Sequence, residues 1–177
     1  MNATSAHAMP APEAARQLLQ DPALYRLLSL LDSDGEEARL VGGALRGGLL
    51  GRPVVECDIA TTAIPETVMM RSAAAGLRTI GTGLAHGTVT ILIDGKSFEV
   101  TSLRDDIETD GRHAKVRFSR DFADDARRRD FTMNALSMKR DGTLYDYVGG
   151  LQDIAIRRLR FIGDPVARIR EDYLRIL

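Results

Sequence analysis

Two acidic residues lie one residue apart in the segment VVECDIATT, residues 54–62. If this apolar run forms a β-strand, the two-residue period of a strand places Glu56 and Asp58 on one face and Cys57 on the other. Carboxylates about 7 Å apart along a strand can share a hard, oxygen-seeking cation such as Mg²⁺. An isolated acidic pair can equally form the solvated face of a half-buried strand, so the pair alone is weak support for a metal site.

A glycine pair and a third acid strengthen the metal interpretation. Gly42 and Gly43 stand between a predicted strand and a predicted helix, where exposed backbone N–H groups can approach a triphosphate and Arg46 can reach it from the helix. Glu99 alternates with apolar residues in KSFEVTSL, so it points away from the apolar face of its strand. Three acids on neighbouring strands beside a glycine turn suit two-metal phosphoryl or nucleotidyl transfer.

Composition limits the class of protein. The chain has 177 residues, of which 44% are hydrophobic, enough for one well-packed domain and a short appended element. Lys and Arg number 24 and Asp and Glu 25, so any nucleic-acid site must be a local patch. One cysteine excludes an internal disulfide and fits a reducing compartment, and the expected location is therefore the cytoplasm. No apolar run approaches the roughly 20 residues of a membrane span, so no membrane partner is expected.

The hydrophobic pattern predicts an α+β fold, a small and mainly antiparallel sheet with helices against it. Asp94-Gly95 and Asp141-Gly142 each predict a β-hairpin. Helices are predicted over 13–31 with a break at Asp21-Pro22, and over 44–50, 65–75 and 121–129. Further strands are predicted over 38–41, 54–59 and 159–162. A mobile loop is predicted over 104–119.

The two ends of the chain carry different signals. Residues 1–12 are interpreted as a disordered lead-in, followed by one domain over 13–162. Residues 163–177 predict a terminal helix, with Asp164 as its N-cap and Pro165 at its first position. Because no stop signal follows this helix, the sequence predicts a fragment of a longer protein.

The segment VGGALRGGLLGRPVVECDIATTA resembles the signature of the class II nucleotidyltransferases, which include CCA-adding enzymes and bacterial poly(A) polymerases. Further matches follow in family order: HGTVTILIDGKSFEVTSLRDDIETDGRHAKVRF, DARRRDFTMNAL, LYDYVGGLQDI and IREDYLRIL. Together they cover nearly everything from Leu40 to Leu177. The resemblance implies a polymerase-β-like head domain over 13–162 and the truncated start of a helical neck over 163–177.

The resemblance implies a role for each matching residue. Glu56 and Asp58 would bind Mg²⁺, with Glu99 as the third catalytic acid. The incoming nucleotide would be bound by Gly42, Gly43, Arg46, Arg128, Asp130, Asn134, Asp172 and Arg175. Within that set, Arg128, Asp130 and Asn134 match a motif that contacts the ribose and phosphates. The segment containing Asp110, Gly111 and Arg112 resembles a flexible loop that helps the site change between CTP and ATP.

Two charged groups have simpler interpretations as well. Asp172 and Arg175 lie at i and i+3 of the predicted terminal helix, so they would share one face as an acceptor beside a donor fork. In the family such a pair recognises the base of CTP or ATP, whereas the simpler alternative is a surface salt bridge. Arg127 to Arg129 could likewise be a solvated charge run. His86, before Gly87, is interpreted as structural.

The function implied by the resemblance is CCA addition: the 3′-hydroxyl of tRNA attacks the α-phosphorus of CTP or ATP, and pyrophosphate leaves. The implied partners are CTP, ATP and tRNA, with weak affinity for tRNA and no DNA. One alternative is a poly(A) polymerase. The other is a catalytically silent RNA-binding homologue or inactive fragment, because Gly47 and Glu56 stand where the family has aspartates.

Overall fold

Ten short strands and seven helices make up the described part of this computed structural model, residues 7–54, 56–106 and 116–176. The strands are β1 His7–Pro10, β2 Ala38–Val41, β3 Cys57–Thr61, β4 Arg78–Gly83, β5 Thr88–Ile93, β6 Lys96–Ser102, β7 Arg104–Asp106, β8 Val116–Phe118, β9 Ser137–Met138 and β10 Thr143–Asp146. The α-helices are α1 Glu13–Arg16, α2 Pro22–Leu31, α3 Gly42–Leu49, α4 Pro65–Ala74, α5 Phe122–Arg128, α6 Gly150–Ala155 and α7 Pro165–Glu171. Short 3-10 helices span Gln17–Gln20, Leu84–His86, Thr132–Asn134 and Tyr173–Ile176.

Eight of the strands form one sheet in the order β1-β10-β9-β2-β3-β6-β5-β4. The β3–β6 pair is parallel and the other pairs in this sheet are antiparallel. β7 and β8 pair separately as a two-stranded ribbon. The predicted α+β class with a mainly antiparallel sheet is therefore confirmed.

The sheet has a thick apolar core on one face and a thinner one on the other. Leu40, Ile59 and Val100 belong to the main core, which the helices of the first half of the chain cover. On the opposite face, Val41 and Ala60 pack with Phe122 of α5 in a second, smaller cluster. Side chains alternate along a strand, so residues two positions away from Ala60 share this second face. Because the apolar cluster on this face is small, those residues can be polar.

Several local predictions are confirmed. α2 begins where predicted, because the Asp21 carboxylate accepts a hydrogen bond of 3.0 Å from the backbone N–H of Ala23 and Pro22 occupies the first position. Asp94 and Gly95 both have positive φ, 50° and 79°, as a two-residue turn between β5 and β6 requires. In the described part of the chain, every helix is too short or too polar to cross a membrane.

The N-terminal segment differs from the predicted lead-in. His7–Pro10 forms β1, which pairs antiparallel with β10, and Ala11 is buried. The sheet edge provides hydrogen-bond partners for this segment, although its own sequence has no strand pattern. The interpretation of residues 1–12 as disordered is therefore wrong for residues 7–12, and residues 1–6 lie outside the described part.

Other boundaries also move. The predicted strand over 159–162 is only a single bridge between Phe131 and Phe161. Part of the predicted loop over 104–119 forms β7 and β8, whereas Asp110, Gly111 and Arg112 lie outside the described residues. β4 and α6 have no predicted counterpart. The sequence RTIGTG of β4 contains two glycines, which weaken the strand signal.

Candidate active site

Two of the three predicted acids meet at the centre of the sheet. In the parallel register of β3 and β6, Asp58 lies directly beside Glu99. Burial raises the pKa of the Asp58 carboxyl, and the negative charges of Glu99 and Glu56 raise it further, against the opposing effect of Arg129. The acids therefore repel one another at this point, and binding of a cation would relieve the repulsion.

Glu56 lies outside the strand that carries Asp58. β3 begins only at Cys57, so Glu56 is an exposed residue of the preceding segment and does not share a strand face with Asp58 as predicted. The negative charge of Glu56 still raises the pKa of the Asp58 carboxyl. Across the described residues, no three His, Cys, Asp or Glu side chains are grouped closely enough to hold a metal ion. The predicted pair is thus a strand residue and a residue outside the strand that interact through their charges.

The glycine turn lies against Asp58. Gly42, the first residue of α3, has a φ of +66°, which favours glycine. A Cβ at this position would lie 3.3 Å from Oδ2 of Asp58 and 3.7 Å from Nη1 of Arg129. The absent side chain therefore allows the start of α3 to approach the acidic pair closely.

Arg46, Asn134 and Asp130, which the resemblance assigns to nucleotide binding, form a connected group. Nη1 of Arg46 donates a hydrogen bond to Oδ1 of Asn134. Nδ2 of Asn134 donates in turn to Oδ1 of Asp130 at 3.0 Å, which also accepts from the backbone N–H of Phe131 at 2.7 Å. Asn134 therefore fixes the position of Arg46 beside the glycine turn.

Arg128 and Arg129 are anchored by an aspartate that the sequence analysis missed. Asp125 is buried and accepts hydrogen bonds from Nη2 of Arg128 and from Nε of Arg129, the latter at 3.1 Å. The i, i+3 and i+4 spacing of these residues on α5 could have revealed the group. Nε of Arg128 is buried and has no hydrogen-bond partner within the described structure.

A cavity of about 350 Å³ connects the acids to these arginines. Its lining consists of Val41, Asp58, Ile59, Ala60, His86, Thr88, Glu99, Thr101, Arg104, Asp125, Arg128 and Arg129. A larger cavity of about 820 Å³ lies beside β1, β10 and α6, and none of the predicted site residues lines it. The smaller cavity is the candidate site because acids, arginines and the nearby glycine turn converge on it.

Asp172 and Arg175 do not share a helix face. α7 ends at Glu171, and Asp172 is extended with a φ of −153°. Its side chain accepts a hydrogen bond from the backbone N–H of Leu174 at 3.0 Å, which competes with helix continuation. Nη1 of Arg175 donates to Oε2 of Glu171 at 2.9 Å and to the carbonyl of Arg168 at 2.7 Å. The prediction of one continuous terminal helix is therefore wrong.

Neither residue of this pair reaches the acids. Among the described residues, no hydrogen bond, ion pair or shared cavity connects Asp172 or Arg175 with Asp58.

Gly47, the position where the related family has an aspartate, is tightly packed. A Cβ there would lie 3.1 Å from Cγ2 of Val54, so a larger residue would require Val54 to move.

The sequence model of the family described as "Poly A polymerase head domain" matches residues 38–160. The chain belongs to this family. The matched range contains the acids, the glycine turn and the Arg46–Asn134–Asp130 group, whereas Asp172 and Arg175 lie beyond it. The family assignment therefore covers the sheet and the candidate site.

Named relatives of this head-domain family cover most of the chain. The chain is 46% identical over 155 residues to the mitochondrial CCA tRNA nucleotidyltransferase 1 of Danio rerio, a match that covers 87% of the chain and 36% of the relative. It is 44% identical over 153 residues to the CCA-adding enzyme of Leuconostoc citreum, covering 85% of the chain and 37% of that protein. The chain thus spans little more than a third of the length of these relatives.

The crystal structure of the Bacillus stearothermophilus CCA-adding enzyme in complex with CTP has the same fold. The two structures superpose with a TM-score of 0.75 at 42% sequence identity, covering 87% of this chain and 36% of that one. The fold is therefore that of the nucleotidyltransferase region of a CCA-adding enzyme.

Proposed function

We propose that this chain is a nucleotidyltransferase head that adds CMP and AMP, from CTP and ATP, to the 3′ end of tRNA. One observation carries the proposal: Asp58 and Glu99 lie side by side on β3 and β6, against the glycine turn of α3 and in one cavity with Arg128. The names of the zebrafish and Leuconostoc relatives and the CTP complex of the Bacillus enzyme support this substrate class.

Two of the acidic side chains, Asp58 on β3 and Glu99 on β6, lie side by side and offer oxygen ligands that suit a divalent cation. Asp58, Glu99 and Glu56 carry charges that repel one another, and carboxylate oxygens are the ligands that Mg²⁺ prefers. We assign Mg²⁺ binding to Glu56 and Asp58, with Glu99 as the third acid. Bound Mg²⁺ would lower the pKa of the attacking hydroxyl and offset the charge of the triphosphate.

The remaining residues position the nucleotide. The backbone N–H groups at Gly42 and Gly43 would bind phosphate oxygens, with Arg46 held beside them by Asn134. Arg128, which lines the cavity, offers one more cationic group to phosphate. Asp130 and Asn134 have the acceptor and donor groups that bind ribose hydroxyls. In the transfer, the 3′-oxygen forms a bond to the α-phosphorus, its proton leaves, and the bond to pyrophosphate breaks.

Base selection by Asp172 and Arg175 requires a change in the side-chain pairing at the end of the chain. Arg175 is paired with Glu171, so it would have to leave that ion pair before it could recognise a base together with Asp172.

The proposed cytoplasmic location rests on the single cysteine alone.

The product sequence tests the proposed function. A tRNA that lacks its terminal CCA is incubated with the chain, CTP, ATP and Mg²⁺, and the new 3′ ends are sequenced. The proposal predicts addition of C, C and A. Long runs of A without C would instead support a poly(A) polymerase, the alternative suggested by the description of the matched family.

A binding-only head is the second candidate function. It is favoured by the position of Glu56 outside β3 and by the glycine at position 47. Calorimetry with CTP separates the two candidates. Mg²⁺-dependent CTP binding with CMP transfer supports the enzyme, whereas RNA binding without CTP binding in the presence or absence of Mg²⁺ supports the silent homologue.

A further inference from the structure

The wall of the active-site cavity farthest from α3 is polar, and the proposed function gives it no role. It consists of His86 on the 3-10 turn before β5, Thr88 on β5 and Thr101 on β6. The Oγ1 atoms of Thr88 and Thr101 lie 3.0 Å apart. The His86 imidazole is exposed and has no hydrogen-bond or ion-pair partner among the described residues. This wall therefore has unused hydrogen-bonding capacity facing the acids.

The backbone and the side chain of His86 have different surroundings. The backbone carbonyl of His86 accepts a hydrogen bond from Nη1 of Arg104, and the next residue, Gly87, has a φ of +77°. These features hold the turn without any contribution from the imidazole. A purely structural role for His86 therefore accounts for the backbone of this residue and leaves its ring unexplained.

The order of the strands places the acids between two groups of residues. β2, which leads into the glycine turn of α3, is followed across the sheet by β3 with Asp58, β6 with Glu99, and then β5 with Thr88. Displacement at phosphorus places the attacking and leaving oxygens on opposite sides of the phosphorus atom. If pyrophosphate leaves beside α3, the attacking hydroxyl enters from the β5 side, where His86 lies.

We propose that His86, together with the Thr88–Thr101 pair, binds the terminal ribose of the RNA acceptor. The inference rests on the proposed function, because it takes transfer at Asp58 as given. A neutral imidazole has one donor and one acceptor, and each threonine hydroxyl can both donate and accept. These groups match the 2′- and 3′-hydroxyls that end an RNA chain. His86 is thus a positioning residue for the attacking strand.

Equilibrium binding tests the proposal without requiring catalysis. A fluorescent RNA hairpin with a single-stranded 3′ overhang is titrated with the protein in Mg²⁺ buffer, once with a terminal ribose and once with a terminal 2′,3′-dideoxyribose. The wild-type chain should bind the ribose end about tenfold more tightly, the effect of one or two hydrogen bonds. His86→Ala should reduce that ratio below about twofold, and His86→Asn should recover part of it.

His7→Ala is the matched control, because His7 lines the larger cavity beside β1 and β10. Its binding ratio should equal that of the wild type. A His86→Ala variant that keeps the wild-type ratio, or a wild-type chain that does not distinguish the two RNA ends, overturns the inference. If the ratio changes as expected but the wild-type chain transfers no CMP, the proposed function fails and the assignment of His86 stands.

Discussion

At the scale of single residues, Asp58 has an unfavourable electrostatic position that a bound cation would relieve. Burial and the neighbouring charges of Glu99 and Glu56 raise the pKa of its carboxyl above the ordinary value of 3.8. A folded-state pKa above the unfolded one means that the native state binds the proton more tightly. The ionised carboxylate therefore lowers the stability of the fold, and this loss develops as the pH rises above 3.8.

Asp58→Asn should stabilise the fold and abolish activity. At neutral pH the amide removes the repelling charge, and we expect the melting temperature to rise by about 1 to 3 °C. The difference from the wild type should shrink as the pH is lowered toward 3.8, where Asp58 itself becomes neutral. Thermal unfolding of both proteins across this pH range measures the effect. A variant that is less stable than the wild type at neutral pH would contradict the account of Asp58.

At the scale of elements, the junction of β2 and α3 determines how closely the phosphate-binding turn approaches the acids. Gly42→Ala adds a methyl group about 3.3 Å from Oδ2 of Asp58 and strains a φ of +66°. We expect a loss of about 1 to 2 kcal/mol in unfolding free energy. We also expect weaker binding of CTP, because the Asp58 carboxylate must shift away from the added methyl group.

Gly35→Ala provides the matched control for Gly42. It has a similar φ of +78°, and a Cβ there meets nothing within 4 Å. This variant should lose similar stability from backbone strain and keep the wild-type affinity for CTP. Urea unfolding and calorimetry on both variants separate the two effects, and equal CTP affinities would show that close approach at Gly42 has no functional role.

A buried aspartate connects Thr132, two residues before Asn134, to the segment after α6. Asp153 has no exposed surface and accepts hydrogen bonds from Oγ1 of Thr132 at 2.6 Å and from the Nε atoms of Arg158 and Arg160 at 2.6 and 2.8 Å. Burial opposes ionisation of Asp153, but these hydrogen bonds outweigh it and hold its pKa below 3.8. The ionised Asp153 therefore stabilises the fold above pH 3.8, and this contribution is lost as the pH falls through its lowered pKa.

Asp153→Ala should unfold at a much lower urea concentration than the wild type. Loss of the buried acceptor removes the hydrogen-bond partner of the Thr132 hydroxyl and the carboxylate partner of Arg158 and Arg160. We therefore expect the free energy of unfolding to fall by about 2 to 4 kcal/mol at pH 7. Asp124→Ala is the control, since its ion pair with Arg127 is exposed; its effect should stay within about 0.5 kcal/mol. Comparable losses in the two variants would contradict the structural role of Asp153.

The sequence predicted elements wherever local chemistry determines them. The helix break at Asp21-Pro22, the Asp94-Gly95 turn and the strand alternation around Glu99 are local signals, and all three appear as predicted. The register that brings Asp58 beside Glu99 joins strands about forty residues apart, so no local signal determines it. β1 depends on the sheet edge, and the end of α7 depends on one side chain at Asp172. Neither effect has a signal in hydrophobic periodicity.

At the scale of the whole molecule, membership in the head-domain family accounts for the sheet and the site, and the chain spans 36% of the zebrafish relative. The formal net charge of −1 gives no general attraction for RNA. Affinity for RNA must therefore come from the few arginines and polar groups around the cavity. The account thus depends on whether this local site can perform the transfer.

Single-turnover transfer of CMP measures that ability most directly. Radiolabelled CTP is mixed with an excess of the chain, Mg²⁺ and a tRNA lacking its terminal CCA, and labelled RNA is counted over time for the wild type and Asp58→Asn. The account predicts that the wild type transfers CMP and that Asp58→Asn, although folded, loses at least about a thousandfold in rate. A folded wild-type chain that transfers no CMP, or an Asp58→Asn variant with near wild-type rate, would contradict it.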